Sequence, residues 1–230
     1  MEYVERNAIV DSSTWFSLRL SLQVASLATG IIVLVGLALA YLLAMKNFRG
    51  KELLDVLCTL PLVLPPTVTG FFLVVVFGRN GFFGRPLYEL TGWSIMFTWQ
   101  AAVVASFVVA LPLMIKTARA ALESVDRNLI NASYTLGHSK CETAFRVILP
   151  LARKGIFAGA VLSFARAMGE FGATLMLAGN IPGRTDTMPI AIYSMASSGE
   201  WSRAGAMVAF FTAVSAAFLY VANLYSRRTA

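Results

Sequence analysis

Charge is scarce in this chain, and so are the side chains on which most enzymes rely. Only 13% of the 230 residues are Asp, Glu, Lys or Arg, where an ordinary soluble domain has about a quarter. Apolar residues make up 57%, which places the chain in a membrane. There is one histidine, His138, and there are two cysteines, Cys58 and Cys141. His138 falls in a polar loop, so a histidine-based triad or an intramembrane zinc site is disfavoured, and no catalytic residue or metal ligand is assigned. Cys58 falls in an apolar run and Cys141 in the polar loop, so no disulfide between them is expected, and CxxC spacing does not occur. The GxxxxGK[ST] phosphate loop is also missing, so the chain should not itself bind ATP in that way. Residues 1–17 carry Glu2, Glu5, Arg6 and Asp11 rather than the positive leading segment of a secretory signal, and should remain on the mature chain.

What the chain has is membrane-length apolar runs, at approximately 20–45, 53–78, 95–116, 153–180 and 204–226. A helix needs about 20 such residues to cross a bilayer, so the expectation is an all-α membrane protein, with one transmembrane domain over 1–230 and five spans. The segment 188–196 is apolar but too short to cross and reads as an interfacial or re-entrant piece. The net charge of +7 is spread over short loops. It reads as a topological signal, and nucleic acid is not an expected partner.

Two runs contain residues that a plain span would avoid. In the second, Pro61, Pro65 and Pro66 precede Thr67, Thr69 and Gly70; such prolines kink a helix, either for packing or to line a pathway. In the fourth, Arg166 and Glu170 stand four apart. Ionisable groups at that depth cost roughly 2.5–3.5 kcal/mol each and seek partners. The two can pair with each other to fix packing, or Arg166 can also lend positive potential to an anion pathway. Ser163 and Thr174, with Thr67 and Thr69, are further candidates for its lining. Gly155, Gly159, Gly169 and Gly172 suggest close helix approach.

The polar island from Lys116 to Lys154 carries Lys116, Arg119, Arg127, Lys140, Arg146, Arg153 and Lys154 against Glu123, Asp126 and Glu142. Basic loops face the cytoplasm. Five crossings with this island inside put the Lys46 loop and the C-terminus inside and the N-terminus outside. The inner segments then hold twice the basic residues of the outer ones, whose set (Arg6, Arg19, Arg79, Arg85, Arg184, Arg203) contains no lysine. Within the island, Leu122, Val125, Leu129, Ala132 and Leu136 recur at spacings of three and four, predicting one apolar stripe of a short helix. Asp126 is placed to cap its start and Gly137 to end it. Ser139 and Glu142 can form a capping box for a second helix over Ala144 to Leu149, which Pro150 should break.

The order Asn131-Ala132-Ser133, then Gly137, then Val147-Ile148-Leu149-Pro150 resembles the EAA signature of ABC importer permeases. The family usually has an acidic residue and alanine where this chain has Asn131 and Ser133. The segment Ser163 to Thr174, followed by Ala178-Gly179-Asn180-Ile181-Pro182-Gly183, resembles the permease subunits of molybdate importers more specifically, and the Pro61 to Pro66 segment resembles oxyanion permeases of the molybdate and sulfate group. That resemblance implies a type I, MetI-like importer permease with a cytoplasmic coupling loop over 117–152. Asp126, Leu129, Asn131, Ala132, Ser133, Leu136, Gly137, Leu149 and Pro150 would form its ATPase-coupling elements.

The implied partners are two copies of an ABC ATPase holding the ATP and Mg, a second permease copy in a homodimer, and a periplasmic or extracytoplasmic molybdate-binding protein. The lipid bilayer of the cytoplasmic (inner) membrane surrounds them. The chain would be a multi-pass transport subunit, not an enzyme. Related permeases often have a sixth helix, for which this N-terminus is too short. Tungstate or sulfate/thiosulfate remain alternative cargoes. A secondary transporter driven by an ion gradient through Arg166 and Glu170, and a structural membrane protein, remain alternatives of other classes; the gradient-driven folds usually show internal repeats, which are not found here.

Overall fold

A computed structural model describes residues 12–228, and among these every regular element is helical. The acidic stretch Glu2 to Asp11 lies outside the described residues. The helices are α1 Ser12–Met45, α2 Lys51–Val63, α3 Pro66–Phe77, α4 Gly84–Thr91, α5 Trp99–Glu123, α6 Arg127–Thr135 and α7 Lys140–Thr143. A π-helical turn Ala144–Ile148 joins α7 to α8 Leu149–Met168, and α9 Gly172–Ala178, α10 Met188–Ser197 and α11 Trp201–Arg228 follow. Among the described residues four helices are long and apolar enough to cross a membrane: α1, α5, the continuous Lys140–Met168 and α11. The bent pair α2–α3 makes a fifth span if counted as one.

The hub is α5, with 61% of its most apolar stretch buried, against 28% for α1 and 11% for α11. In a bilayer the surrounding lipid is as apolar as leucine, so close packing rather than escape from water holds helices together. Small residues supply it. A Cβ at Gly36 would lie 2.8 Å from Met114 Cγ, and one at Gly155 would lie 2.3 Å from Ala121 Cβ. Thus α1 and α8 clasp α5 at glycines. Gly159 faces Met114 and Gly172 faces Pro66 in the same manner, whereas Gly169 meets no neighbour closely and merely ends α8.

Several elements depart from the sequence expectation. The first helix starts at Ser12, earlier than 20, because its polar first turns are bound: Ser17 Oγ donates to Asp186 Oδ2 (3.3 Å) and Met188 N–H donates to Ser21 Oγ (2.8 Å). The second run does not cross as one kinked helix. It turns by 118° between α2 and α3. Leu64 and Pro65 each precede a proline, and both take extended backbone (φ −69°, ψ 142° and φ −52°, ψ 137°), as the clash with the following ring requires. Pro61 stays inside α2, so of the three expected kinks only Pro65 and Pro66 mark the turn.

The third helix begins at Trp99, not near Ile95, where the Thr98 side chain accepts from Ala101 N–H. The link between the second and third runs contains the short helix α4, with Pro86 in its first turn, where a missing N–H costs nothing. Pro150 does not end a helix: the wider turn before it, in which Leu149 N–H reaches Ala144 O, lets the chain pass through the proline. The fourth run is interrupted in its turn, since α8 stops at Met168 and α9 begins at Gly172.

Candidate functional site

At the basic end of the bundle α5 runs on to Glu123, and the chain then makes a helix-turn-helix that returns through α7 to α8. Asp126 Oδ1 accepts from Asn128 N–H (2.8 Å) and opens α6. Gly137, at φ +86°, ends the turn in the left-handed region that a side chain resists. Ser139 and Glu142 form the reciprocal capping box: Ser139 N–H donates to Glu142 Oε2 (2.8 Å) and Glu142 N–H to Ser139 Oγ (3.3 Å). Both ends of α6 are therefore fixed by local bonds, and the helix is held between two long helices.

The expected five-residue stripe is divided. Leu122 and Val125 are buried, one in α5 and the other in the link, because the chain breaks at Ser124 before Asp126 starts a new helix. The remaining three, Leu129, Ala132 and Leu136, point outward, with Leu136 78% exposed. Tyr134 and Phe145, which the sequence reading passed over, are also exposed, and both line a groove beside α1; Phe145 lay inside a run read only as helix. Asn131 is exposed beside them, and Pro150 is exposed while Leu149 packs against the core. Ser133 alone of the signature triplet turns inward, where its hydroxyl shares a 2.9 Å hydrogen bond with the buried Thr143 hydroxyl across the helix-turn-helix.

The same end is braced laterally. Asp55 of α2 accepts from Lys116 Nζ (2.8 and 2.9 Å) and lies 3.1 Å from Arg119 Nη1, which bonds Glu123 through Nε (2.7 Å). These bonds tie the end of α5 that leads into α6 to α2.

Deeper in the bundle the two chain breaks meet. Pro66 and Thr67, just past the α2–α3 turn, lie against Gly172 at the start of α9, and Gly70 lies against Ala173 and Met176. Arg166 and Glu170 are not on one continuous helix, since Glu170 sits in the gap between α8 and α9. Its carboxylate spans that gap: Oε2 is 2.7 Å from Arg166 Nη1, and Oε1 accepts from Ala173 N–H (2.8 Å). Glu170 is buried and Arg166 half-buried. Thr69 and Thr174 are buried and Thr67 is exposed. Ser163 is not grouped with them; it faces α5, donating to Ala110 O (3.4 Å). Among the described residues no cluster of His, Cys, Asp and Glu is arranged to hold a metal ion.

The profile of the family described as "Binding-protein-dependent transport system inner membrane component" matches residues 19–230. The chain is 46% identical over 187 residues to the molybdenum transport system permease protein ModB of Escherichia coli (strain K12), covering 81% of this chain and 82% of that one. It is 47% identical over 178 residues to ModB of Haemophilus influenzae (77% and 78% covered). With the putative molybdenum transport system permease protein YvgM of Bacillus subtilis (strain 168) it shares 41% over 201 residues (87% and 88% covered). Among solved structures, it superposes with a TM-score of 0.79 and 16% identity on a bacterial ABC transporter involved in the import of the acidic polysaccharide alginate, covering 95% of this chain and 80% of that one. The MetNI methionine ABC transporter in an inward-facing form gives 0.70 at 17% identity, with 95% and 94% covered.

Proposed function

The chain belongs to the family of binding-protein-dependent transport system inner membrane components and is an ABC importer permease, and from that premise we propose that it carries molybdate across the cytoplasmic membrane, driven by ATP hydrolysis on a separate subunit. The observation that carries the coupling half of this reading is α6. A short helix, capped at both ends, presents exposed Leu129 and Leu136 while being anchored to α5 and α8. An uncovered apolar set on an otherwise basic end suits a groove in a soluble partner. Being rigidly attached, it can pass a rigid-body movement to the spanning helices, which slack chain would absorb.

In this reading two copies of the chain form the pathway, two ATPases seat the α6 helices, and a binding protein delivers the oxyanion at the opposite face. ATP-driven closure of the ATPases rocks the permease between inward-open and outward-open states. The basic end lies inside. The pathway passes near the paired chain breaks, where irregular backbone is tolerated only if it faces protein or water; Arg166 and Thr67 are the polar side chains accessible there. The molybdate assignment rests on the relatives' names, and tungstate or sulfate would use the same machine. A gradient-driven carrier working through Arg166 and Glu170 has less in its favour, since both Glu170 oxygens are already engaged.

The test is uptake into vesicles reconstituted with the permease, its ATPase and its binding protein, supplied in turn with molybdate, tungstate and sulfate. ATP-dependent uptake with molybdate preferred is expected. Replacing Gly137 with valine, which the left-handed backbone there does not accept, should abolish uptake and ATPase stimulation while the chain still inserts. Uptake that ran on a proton gradient without the ATPase would overturn the proposal.

A further inference from the structure

A groove of about 1060 Å³ runs along α1 at the basic end of the molecule, larger than the roughly 300–1,000 Å³ typical of small-molecule pockets. Its two halves differ in chemistry. The apolar half is a face of α1, from Leu34 through Leu37 and Ala38 to Tyr41, with Ile148 opposite. The rim holds Lys46, Lys51, Arg127 and Lys140, and its one acidic member is Glu123.

Depth argues against a soluble occupant. Leu34 lies eleven residues before Met45, the last residue of α1, and Lys46 follows directly; at 1.5 Å per residue the helical stretch is about 17 Å. That is more than half of a hydrocarbon core of roughly 30 Å. A groove open from the charged boundary to that depth is reachable by an acyl chain or another membrane segment. A free anion would leave its apolar half empty.

Charge argues for the acyl chain of an anionic lipid. Lys46, Arg127 and Lys140 form no ion pair among the described residues, and Lys51 bonds only the neutral Asn47 (3.4 Å). The carboxylates of this end are committed elsewhere. Asp55 and Glu123 are held by Lys116 and Arg119, while Asp126 and Glu142 accept from backbone N–H groups. Only Glu52 is left. A second copy of the chain therefore brings too few carboxylates to this end to neutralise the rim, whereas an anionic headgroup at the membrane surface does so directly.

We infer that this groove is a binding site for an anionic phospholipid of the leaflet on the basic side, with the acyl chain along Leu34 to Tyr41 and the phosphate among Lys46, Arg127 and Lys140. The inference requires the chain to be in a bilayer but is independent of its cargo. The lipid braces α1 against α6, so it stabilises the helix-turn-helix in its anchored position.

Native mass spectrometry of the detergent-purified full-length chain, titrated with dioleoylphosphatidylglycerol or dioleoylphosphatidylcholine, tests it. Phosphatidylglycerol should be retained about tenfold more tightly or better. The triple variant Lys46→Gln, Arg127→Gln, Lys140→Gln should erase the preference, and Lys46→Arg with Lys140→Arg should keep it, which separates charge from misfolding. Ala38→Trp, filling the apolar half, should weaken both lipids. A photo-crosslinking residue at 38 in native membranes should yield a lipid adduct. Equal retention of the two lipids, full displacement by inorganic phosphate, or a crosslink at 38 to a second copy or to an ATPase would each overturn the assignment.

Discussion

Ser133 stands where the importer signature usually has alanine, and the structure gives the substitution a partner: the buried hydroxyl of Thr143, 2.9 Å away. Removing one member of a buried hydroxyl pair leaves the other unsatisfied, at a cost of about 1–3 kcal/mol, whereas removing both can be nearly neutral. Ser133→Ala should therefore lower thermal stability in detergent, and the double variant with Thr143→Val should recover most of the loss, giving a non-additive cycle. Glu170 presents a different balance. It holds Arg166 and the first turn of α9 together, so Glu170→Ala should lower folded yield and transport in parallel. Arg166→Ala leaves the Ala173 bond in place and should lower transport more than yield; equal losses would reduce Arg166 to a packing role.

Asp186 gives a pH prediction. Burial raises its carboxyl above the usual value despite the Ser17 hydroxyl and nearby backbone N–H groups. A carboxyl raised in the folded state contributes stability that is complete below its unfolded pKa of about 3.9 and is lost as pH rises through the folded value. Asp186→Asn still accepts from Ser17 and should flatten that acid-side slope in a thermal-unfolding series.

At the scale of elements, the sequence shows best what is encoded in neighbouring residues. The caps at Asp126, Ser139 and Gly137 all operate through bonds within a few positions, and all are present. The division of the apolar stripe could not be read from periodicity, because Leu122 and Val125 keep the correct spacing while belonging to the preceding helix and the link. The continuity through Pro150 depends on a π turn, and the early start of α1 on bonds to residues more than a hundred and sixty positions away. The same gap hides the meeting of the two chain breaks, since Pro66 and Gly172 are brought together only by packing. Exposure makes one element prediction direct. Leu129→Ser with Leu136→Ser alters two exposed side chains, at 48% and 78%, so the loss of stability should stay at about 1 kcal/mol or less. Retention of the ATPase on affinity-tagged permease should be lost, and undiminished retention would remove α6 from the docking face.

For the molecule as a whole, the proposed orientation rests on one asymmetry: helices clasp α5 through small residues that carry no directional information, and only the loops tell one face from the other. The basic residues gather at the end that bears α6, and that charge bias orients a membrane protein with its basic loops inside. The chain supplies its own probe, because Cys141 is exposed at that end while Cys58 is half-buried in α2. With Cys58 replaced by serine, a membrane-impermeant maleimide should leave Cys141 unlabelled in intact cells expressing the permease and label it in inverted vesicles. A cysteine in place of the exposed Asn80, at the far end of α3, should behave in the opposite way. Labelling of Cys141 from outside would invert the molecule and place α6 where no ATP-driven partner could reach it, so the coupling proposal and the inner-leaflet lipid site depend together on this result.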